Sequence, residues 1–194
     1  LWFRSEGEHL TLPASLTSIV SYAFSRCSSL TSLNFESGSQ LTTIGWAAFH
    51  SSGLSGNITL PASLTIIGLE AFYGCSSLTS VNFNALILLE TIGDSAFYNS
   101  GLSGSITLPA SLTIIGDYAF EDCSSLTSAS FRCGASALSI GSDAFDNSGV
   151  TSIALPSTAT YGGTNTTLTC TSVDDDCSSN IDVCNSAGQF CDTA

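Results

Sequence analysis

The chain repeats itself every 48 residues, and this constrains its fold more than any single residue does. The segment Leu12-Pro13-Ala14-Ser15-Leu16-Thr17 returns at residues 60–65 and 108–113, with a decayed copy from Leu155-Pro156. An Ala-Phe pair sets a finer beat, placing Phe24, Phe49, Phe72, Phe97, Phe120 and Phe145 at alternating spacings of 25 and 23. A unit this short cannot bury an apolar face alone, so neighbours must stack and share one continuous core. The repeat predicts a solenoid over residues 8–156. Residues 1–7 read as its end or the remnant of a preceding coil, and residues 157–194 as a cysteine-rich cap or tail.

Within one coil, Leu30-Thr31-Ser32-Leu33-Asn34-Phe35 alternates, sending Leu33 and Phe35 to one side and Ser32 and Asn34 to the other, as a half-buried strand requires. Equivalent stretches at residues 9–12, 57–60, 80–83, 105–108, 128–131 and 152–155 predict about seven short parallel strands. A Pro-Ala-Ser or glycine-containing bend leads on to a second apolar pair such as Leu64 and Ile67. Gly45, Gly68, Gly93, Gly116 and Gly141 then mark a bend that a side chain would obstruct. The following Phe fills the coil interior.

Residues 63–83 read SLTIIGLEAFYGCSSLTSVNF, which resembles the pattern LTxIGxxAFxxCxxLTSxxF of the BspA-type (Treponema pallidum type) leucine-rich repeats. The resemblance recurs in each coil. It implies an α/β-type solenoid, a right-handed stack of coils with little regular helix, here with a disulfide-rich C-terminal cap. Alternate coils depart from the pattern, because Ser-Ser-Gly or Asn-Ser-Gly stands at residues 51–53, 99–101 and 147–149 where the cysteine and serines would be. Those coils are shorter in the turn, which accounts for part of the 25/23 alternation.

Sixteen Asp and Glu stand against three basic residues, Arg4, Arg26 and Arg132, for a net charge of −13. Nucleic acids and anionic membrane surfaces are held by clustered cations, so both are excluded as partners. No apolar run approaches the length needed to span a bilayer, which excludes direct membrane insertion. With 10% of residues charged, the surface must be wetted by Ser, Thr, Asn and Gly, a profile suited to the extracellular space, the cell surface or an oxidising lumen. Methionine is absent even at position 1, so the chain reads as a processed or truncated product of a longer precursor.

Cys27, Cys75 and Cys123 lie at 48-residue intervals, hence two coils apart. That is roughly 10 Å, beyond the roughly 7 Å Cα separation a disulfide tolerates, so they cannot pair with one another. They read as small buried thiols of the core, with a local bridge from Cys123 to Cys133 left open. Cys170, Cys177, Cys184 and Cys191 recur every seven residues in a segment with little to pack, the setting in which two disulfides serve as staples. Zinc fits poorly, because it prefers close Cys-x-x-Cys pairs and no histidine is near.

Asp174-Asp175-Asp176 offers oxygen ligands to calcium but lacks the spacing of an EF-hand loop, and a solvated acidic turn is the simpler reading. Asn57-Ile58-Thr59 and Asn165-Thr166-Thr167 are N-glycosylation sequons. The two histidines, His9 and His50, belong to no nucleophile or metal motif. Asp94, Asp117 and Asp143 fall near equivalent coil positions, as surface residues of a repeat would. No catalytic residues and no cofactor are expected.

The outward strand face is the candidate binding face. Its two ladders run through Ser32, Asn57, Ser80, Ser105 and Ser128, and through Asn34, Thr59, Asn82, Thr107 and Ser130. It offers hydroxyls and amides but no Trp, Tyr or Arg of the kind that anchors protein interfaces, and polar outward residues are also what a solvated strand shows. Polysaccharide, ice or a second copy of the same surface are its conceivable partners. Leu1-Trp2-Phe3 is a second candidate contact, and Trp46 is placed on the outer surface. Two functions follow: a non-enzymatic surface module that binds a protein or glycan partner, as the resemblance implies, or a structural subunit that self-assembles or docks on a larger complex.

Overall fold

In the computed structural model, the described residues are 9–83, 86, 88–132, 138–156, 159–161 and 169–173. The strands in chain order are β1 (His9–Leu12), β2 (Ser18–Ile19), β3 (Ser32–Phe35), β4 (Thr43–Ile44), β5 (Gly56–Ile58), β6 (Ile66–Ile67), β7 (Leu78–Val81), β8 (Thr91–Ile92), β9 (Gly104–Leu108), β10 (Ile114–Ile115), β11 (Leu126–Phe131), β12 (Ser139–Ile140), β13 (Ser152–Pro156), β14 (Thr160–Tyr161) and β15 (Thr169–Val173). All pairings are parallel. Odd-numbered strands form one side of each coil. The two-residue even-numbered strands form a second, unbroken ladder of seven, β2 to β14.

The seven expected strands are present, and the register matches their alignment: His9 sits opposite Ser32, Asn57 opposite Ser80, and Ser105 opposite Ser128. Two features were not expected. The even-numbered ladder comes from the apolar pairs before each glycine bend, where two residues are too few to show an alternation. Both ladders also continue past residue 156, since β14 pairs with β12 and β15 with β13. Cys133, Cys177, Cys184, Cys191, Asn165, the Asp174-Asp175-Asp176 run and Leu1-Trp2-Phe3 lie outside the described residues.

The odd-strand side divides into pairs and a closing block of four, β1-β3, β5-β7 and β9-β11-β13-β15. The seams at β3/β5 and β7/β9 fall where one 48-residue unit meets the next. At the first seam the strands splay into an open cleft of about 400 Å³ between Asn34 and Glu36 on one side and Asn57, Thr59 and Pro61 on the other.

The core is a column. Phe24, Phe49, Phe72, Phe97, Phe120 and Phe145 stack with centroids 5.2, 5.2, 5.2, 5.3 and 5.0 Å apart and planes within 8° of parallel. This is the offset arrangement that the ring quadrupole favours. All but Phe24 are fully buried, flanked by Leu41, Leu64, Leu89, Leu112 and the isoleucines of the short strands. Stacking this close leaves no room at certain backbone positions. A Cβ on Gly68 would lie 2.8 Å from the Ile44 carbonyl oxygen, and one on Gly101 would lie 2.2 Å from that of Ser76. The Ser-Ser-Gly and Asn-Ser-Gly departures are therefore crossing points where one coil's backbone rests on the last.

Removing a ring from the middle of the column should cost far more than removing an exposed apolar side chain. Phe97→Ala is expected to lower unfolding free energy by about 3–5 kcal/mol, whereas Leu88→Ala, on an exposed residue, should stay within about 0.5 kcal/mol. Gly101→Ala should fall with the first group. Urea unfolding followed by circular dichroism measures all three.

Candidate functional site

The strand face is less available than its sequence suggests. His9 bonds Ser32, Ser128 Oγ donates to Ser105 Oγ at 2.7 Å, and Ser130 Oγ, on a buried residue, donates to the Ile106 carbonyl at 3.1 Å. At these positions the hydroxyls satisfy one another or the backbone. Asn34, Asn57, Thr59, Ser80 and Asn82 are exposed, Ser32, Thr107 and Ser128 half-buried, and the two seams cut the face into blocks.

The aromatic residues gather elsewhere, on the turns that follow each short strand, at residues 20–27, 45–52, 68–75, 93–100, 116–123 and 141–148. These turns stack through backbone bonds. Glu70, Phe72 and Gly74 donate N–H to the carbonyls of Asp94, Ala96 and Tyr98 at 2.9, 2.8 and 2.8 Å, and equivalent residues repeat this along the array. Such turns place two residues per coil at positive φ, among them Tyr22, Glu70, Tyr118 and Asp143 before the Ala-Phe pair, and Arg26, Asn99, Asp122 and Asn147 after it.

Because every turn has the same shape, equivalent side chains form rows. The residue after each Phe gives His50, Tyr73 and Tyr98, whose rings stack at 4.8 and 4.7 Å with planes 3° and 10° apart. Beside them Tyr22 meets Trp46 at 4.7 Å, and both are nearly half exposed, at 49% and 45%. Leu69 and Tyr118 are exposed on the same face. Trp46 thus lies on the outer surface as expected. The row of His50, Tyr73 and Tyr98 is not legible from the repeat, although the residue following each Ala-Phe is the available signal.

Toward the C-terminal end the rows turn acidic. Asp94 Oδ1 accepts from the Asp117 N–H at 3.1 Å and Asp117 Oδ1 from that of Ser142 at 2.7 Å, so these two carboxylates also hold consecutive coils together. Burial raises the Glu121 carboxyl above its ordinary value, and Asp122, Asp146 and Asp143 nearby add to the shift. The Tyr98 phenol is pushed up to about 12, chiefly because its hydrogen bond to Asp122 favours the protonated form. No three metal-ligating side chains converge among the described residues. At the other end of the array, Leu12, Leu16, Ile19, Phe24 and Cys27 line an apolar depression of about 710 Å³.

Cys75 and Cys123 are free, buried thiols, and Cys27 is free and half-buried. The Cys75 and Cys123 thiols each donate to a carbonyl of the preceding coil, Phe49 and Phe97, at 3.1 Å, and meet Ser52 and Ser100 at 3.4 and 3.2 Å. Cysteine and serine therefore alternate along one row, which is why the cysteines stand two coils apart.

Stacked coils built of a leucine-bearing strand, a bend and a tight turn define a leucine-rich repeat solenoid. More narrowly, the sequence profile of the BspA-type leucine-rich repeat region matches residues 3–103 and 90–186 in six copies, and the chain belongs to that family. No curated protein matches it. The solved structure of the pneumococcal vaccine antigen PcpA is similar, with 25% identity and a TM-score of 0.64 over 82% of this chain and 47% of PcpA, so this chain spans about half the length of that one. A leucine-rich repeat protein from Bacteroides ovatus aligns at 19% identity and a TM-score of 0.29 over 85% of this chain and 74% of its own.

Burial pushes the Cys75 thiol up and raises Cys123 from the ordinary 9.0 to about 11, by desolvating the thiolate. Stability from these groups is complete below the unfolded value of 9.0 and drains away as pH rises through about 11. Iodoacetamide labelling with site-resolved mass mapping at pH 8 should mark Cys27 first and leave Cys75 and Cys123 protected until denaturant is added. Cys123→Ala should reduce the alkaline loss of stability.

Proposed function

We propose that this chain is a non-enzymatic interaction module of an extracellular or surface-displayed protein, and that it meets its partner through the turn face. The observation that carries this reading is the set of exposed aromatics held there, two of them against the backbone's preference. Tyr22 and Tyr118 both sit at φ 59°, where a bulky residue costs about 1–2 kcal/mol relative to glycine. Strain kept on an exposed side chain favours a role outside folding. Tyr and Trp on a rigid support are the anchors of protein interfaces, since little side-chain entropy is lost on contact.

Family membership supports the interaction role, and likeness to the pneumococcal vaccine antigen PcpA supports surface display. The strand face remains open to glycan or ice binding as a lesser proposal. A glycan on Asn57, which is exposed on that face, would cover part of it and leave the turns free. Self-assembly through the apolar depression beside Phe24 is the second reading, favoured by its lining of Leu12, Leu16, Ile19 and Phe24.

Two sets of variants separate the faces: Trp46→Ser with Tyr118→Asn on the turns, and Ser105→Glu with Ser80→Glu on the strands. Surface plasmon resonance against purified extracellular-matrix and serum proteins should show binding that the first set weakens about tenfold or more and the second leaves intact. The opposite pattern would move the binding site to the strand face. Tyr118→Asn should meanwhile leave stability unchanged or raise it by up to about 1 kcal/mol, because Asn tolerates positive φ.

A further inference from the structure

Five of the six Ala-Phe turns open on a glycine, Gly45, Gly68, Gly93, Gly116 or Gly141, and the first opens on Val20 in the same place. None of the five glycines has the positive φ that would by itself call for glycine. What excludes a side chain there is the coil before. Each glycine donates its N–H to an isoleucine carbonyl of the preceding short strand at 2.8 Å, Gly45 to Ile19, Gly68 to Ile44 and so on along the ladder. That bond draws the chains so close that a Cβ would stand 2.8, 2.8, 2.6, 2.4 and 2.5 Å from a backbone atom of the preceding coil.

Val20 keeps the turn of its glycine counterparts. The Ala23 N–H donates to the Val20 carbonyl at 3.2 Å, as Ala48, Ala71 and Ala96 do to Gly45, Gly68 and Gly93 at 3.3, 3.2 and 3.2 Å. Tyr22 has the left-handed φ of Glu70 and Asp143. The backbone is thus the same, and only the neighbour differs, because β2 is the edge strand of the short-strand ladder. Val20 is 68% exposed, the most of any large apolar residue among those described. The requirement for glycine ends where the ladder ends.

We infer that Val20 closes the array at this end: β2 accepts no further coil of this geometry, whether from chain ahead of His9 or from the last coil of a second copy. A coil seated there would have to bring an isoleucine carbonyl to the Val20 N–H, and the Val20 side chain fills the space its backbone needs. No rotamer relieves this, since the Cβ itself collides. An edge strand is otherwise a template for one more strand, and a bulky residue that bars the approach protects it. Head-to-tail stacking of copies, the kind that builds an open filament, is barred at β2. The apolar depression beside Phe24 is left to contacts of another shape. This closure does not depend on the turn face, and it narrows self-assembly to arrangements that do not continue the short-strand ladder.

The test uses a chain in which residues 1–56 are followed by residues 9–194. The 48-residue period puts the inner copy of Val20 where Gly68 stands in the native chain, directly on the coil of Gly45. A second chain is identical except for Val20→Gly in that inner copy. Thermal unfolding followed by circular dichroism should give one transition for the glycine version, at or above the native midpoint, because a seated unit adds nearest-neighbour contacts. The Val20 version should melt in two steps, and thermolysin should cut it at the junction about tenfold faster or more. Both chains melting once, or both melting twice, would overturn the proposal, since Val20 would then not decide whether a coil seats. Should duplication prevent folding, two variants of native length decide. Gly68→Val should lower the thermal midpoint by about 5 °C or more, while Val20→Ile, a larger side chain at the open edge, should leave it within about 2 °C. A fall for Val20→Ile as large as that for Gly68→Val would mean that a coil already rests on Val20, and the proposal would be overturned.

Discussion

Everything in this structure depends on the distance between coils. Parallel strand pairing sets it near 4.8 Å, and the phenylalanine column adopts it, with ring centroids 5.0 to 5.3 Å apart. Two different interactions, backbone hydrogen bonds on the periphery and ring stacking at the centre, thus demand the same repeat. Neither can relax without the other, which is why alternate coils can differ by two residues in length and still present their Phe at the same level. The slack is taken up in the bends, five residues between Phe35 and Leu41 against three between Leu60 and Leu64.

That spacing also decides which residues are free to vary. Where backbone touches backbone, only glycine fits, and the Gly68 and Gly101 positions are fixed by approaches no side chain could survive. Where a small polar group bridges two coils, cysteine and serine alternate, each thiol bonded to a carbonyl of the coil before it. On the turns the backbone groups bond to the next coil directly, so side chains there, Asp94 and Asp117 excepted, carry little of the stacking. Aromatic and acidic residues occupy those positions without disturbing the stack.

This explains what the sequence discloses. The odd-numbered strands, the Phe column and the glycine bends each recur at least five times with their chemistry intact, so His9 pairing with Ser32, or Asn57 with Ser80, followed from alignment alone. The even-numbered ladder was hidden because Ile66-Ile67 has the form of any buried apolar pair. The aromatic face was hidden for the opposite reason. Its residues are the ones that differ between repeats, Ser25 and His50 standing where Tyr73, Tyr98, Glu121 and Asp146 stand in later coils. Regularity marks instead the Ser, Thr and Asn ladders of the strands.

Regularity and exposed aromatic surface therefore point in different directions here. A residue repeated in every coil is held by the geometry that every coil shares, and the strand-face hydroxyls are no exception: Ser128 bonds Ser105, and Ser130 bonds the Ile106 carbonyl. A residue that breaks the repeat answers to something local. Tyr22 and Tyr118 break it at a backbone position where Asp143 is better tolerated, and neither is buried in return. In a solenoid whose core is assured many times over, each coil can carry a strain of about 1–2 kcal/mol on its surface. The array as a whole can then present two different chemistries at its two ends on a support that does not bend to accommodate them.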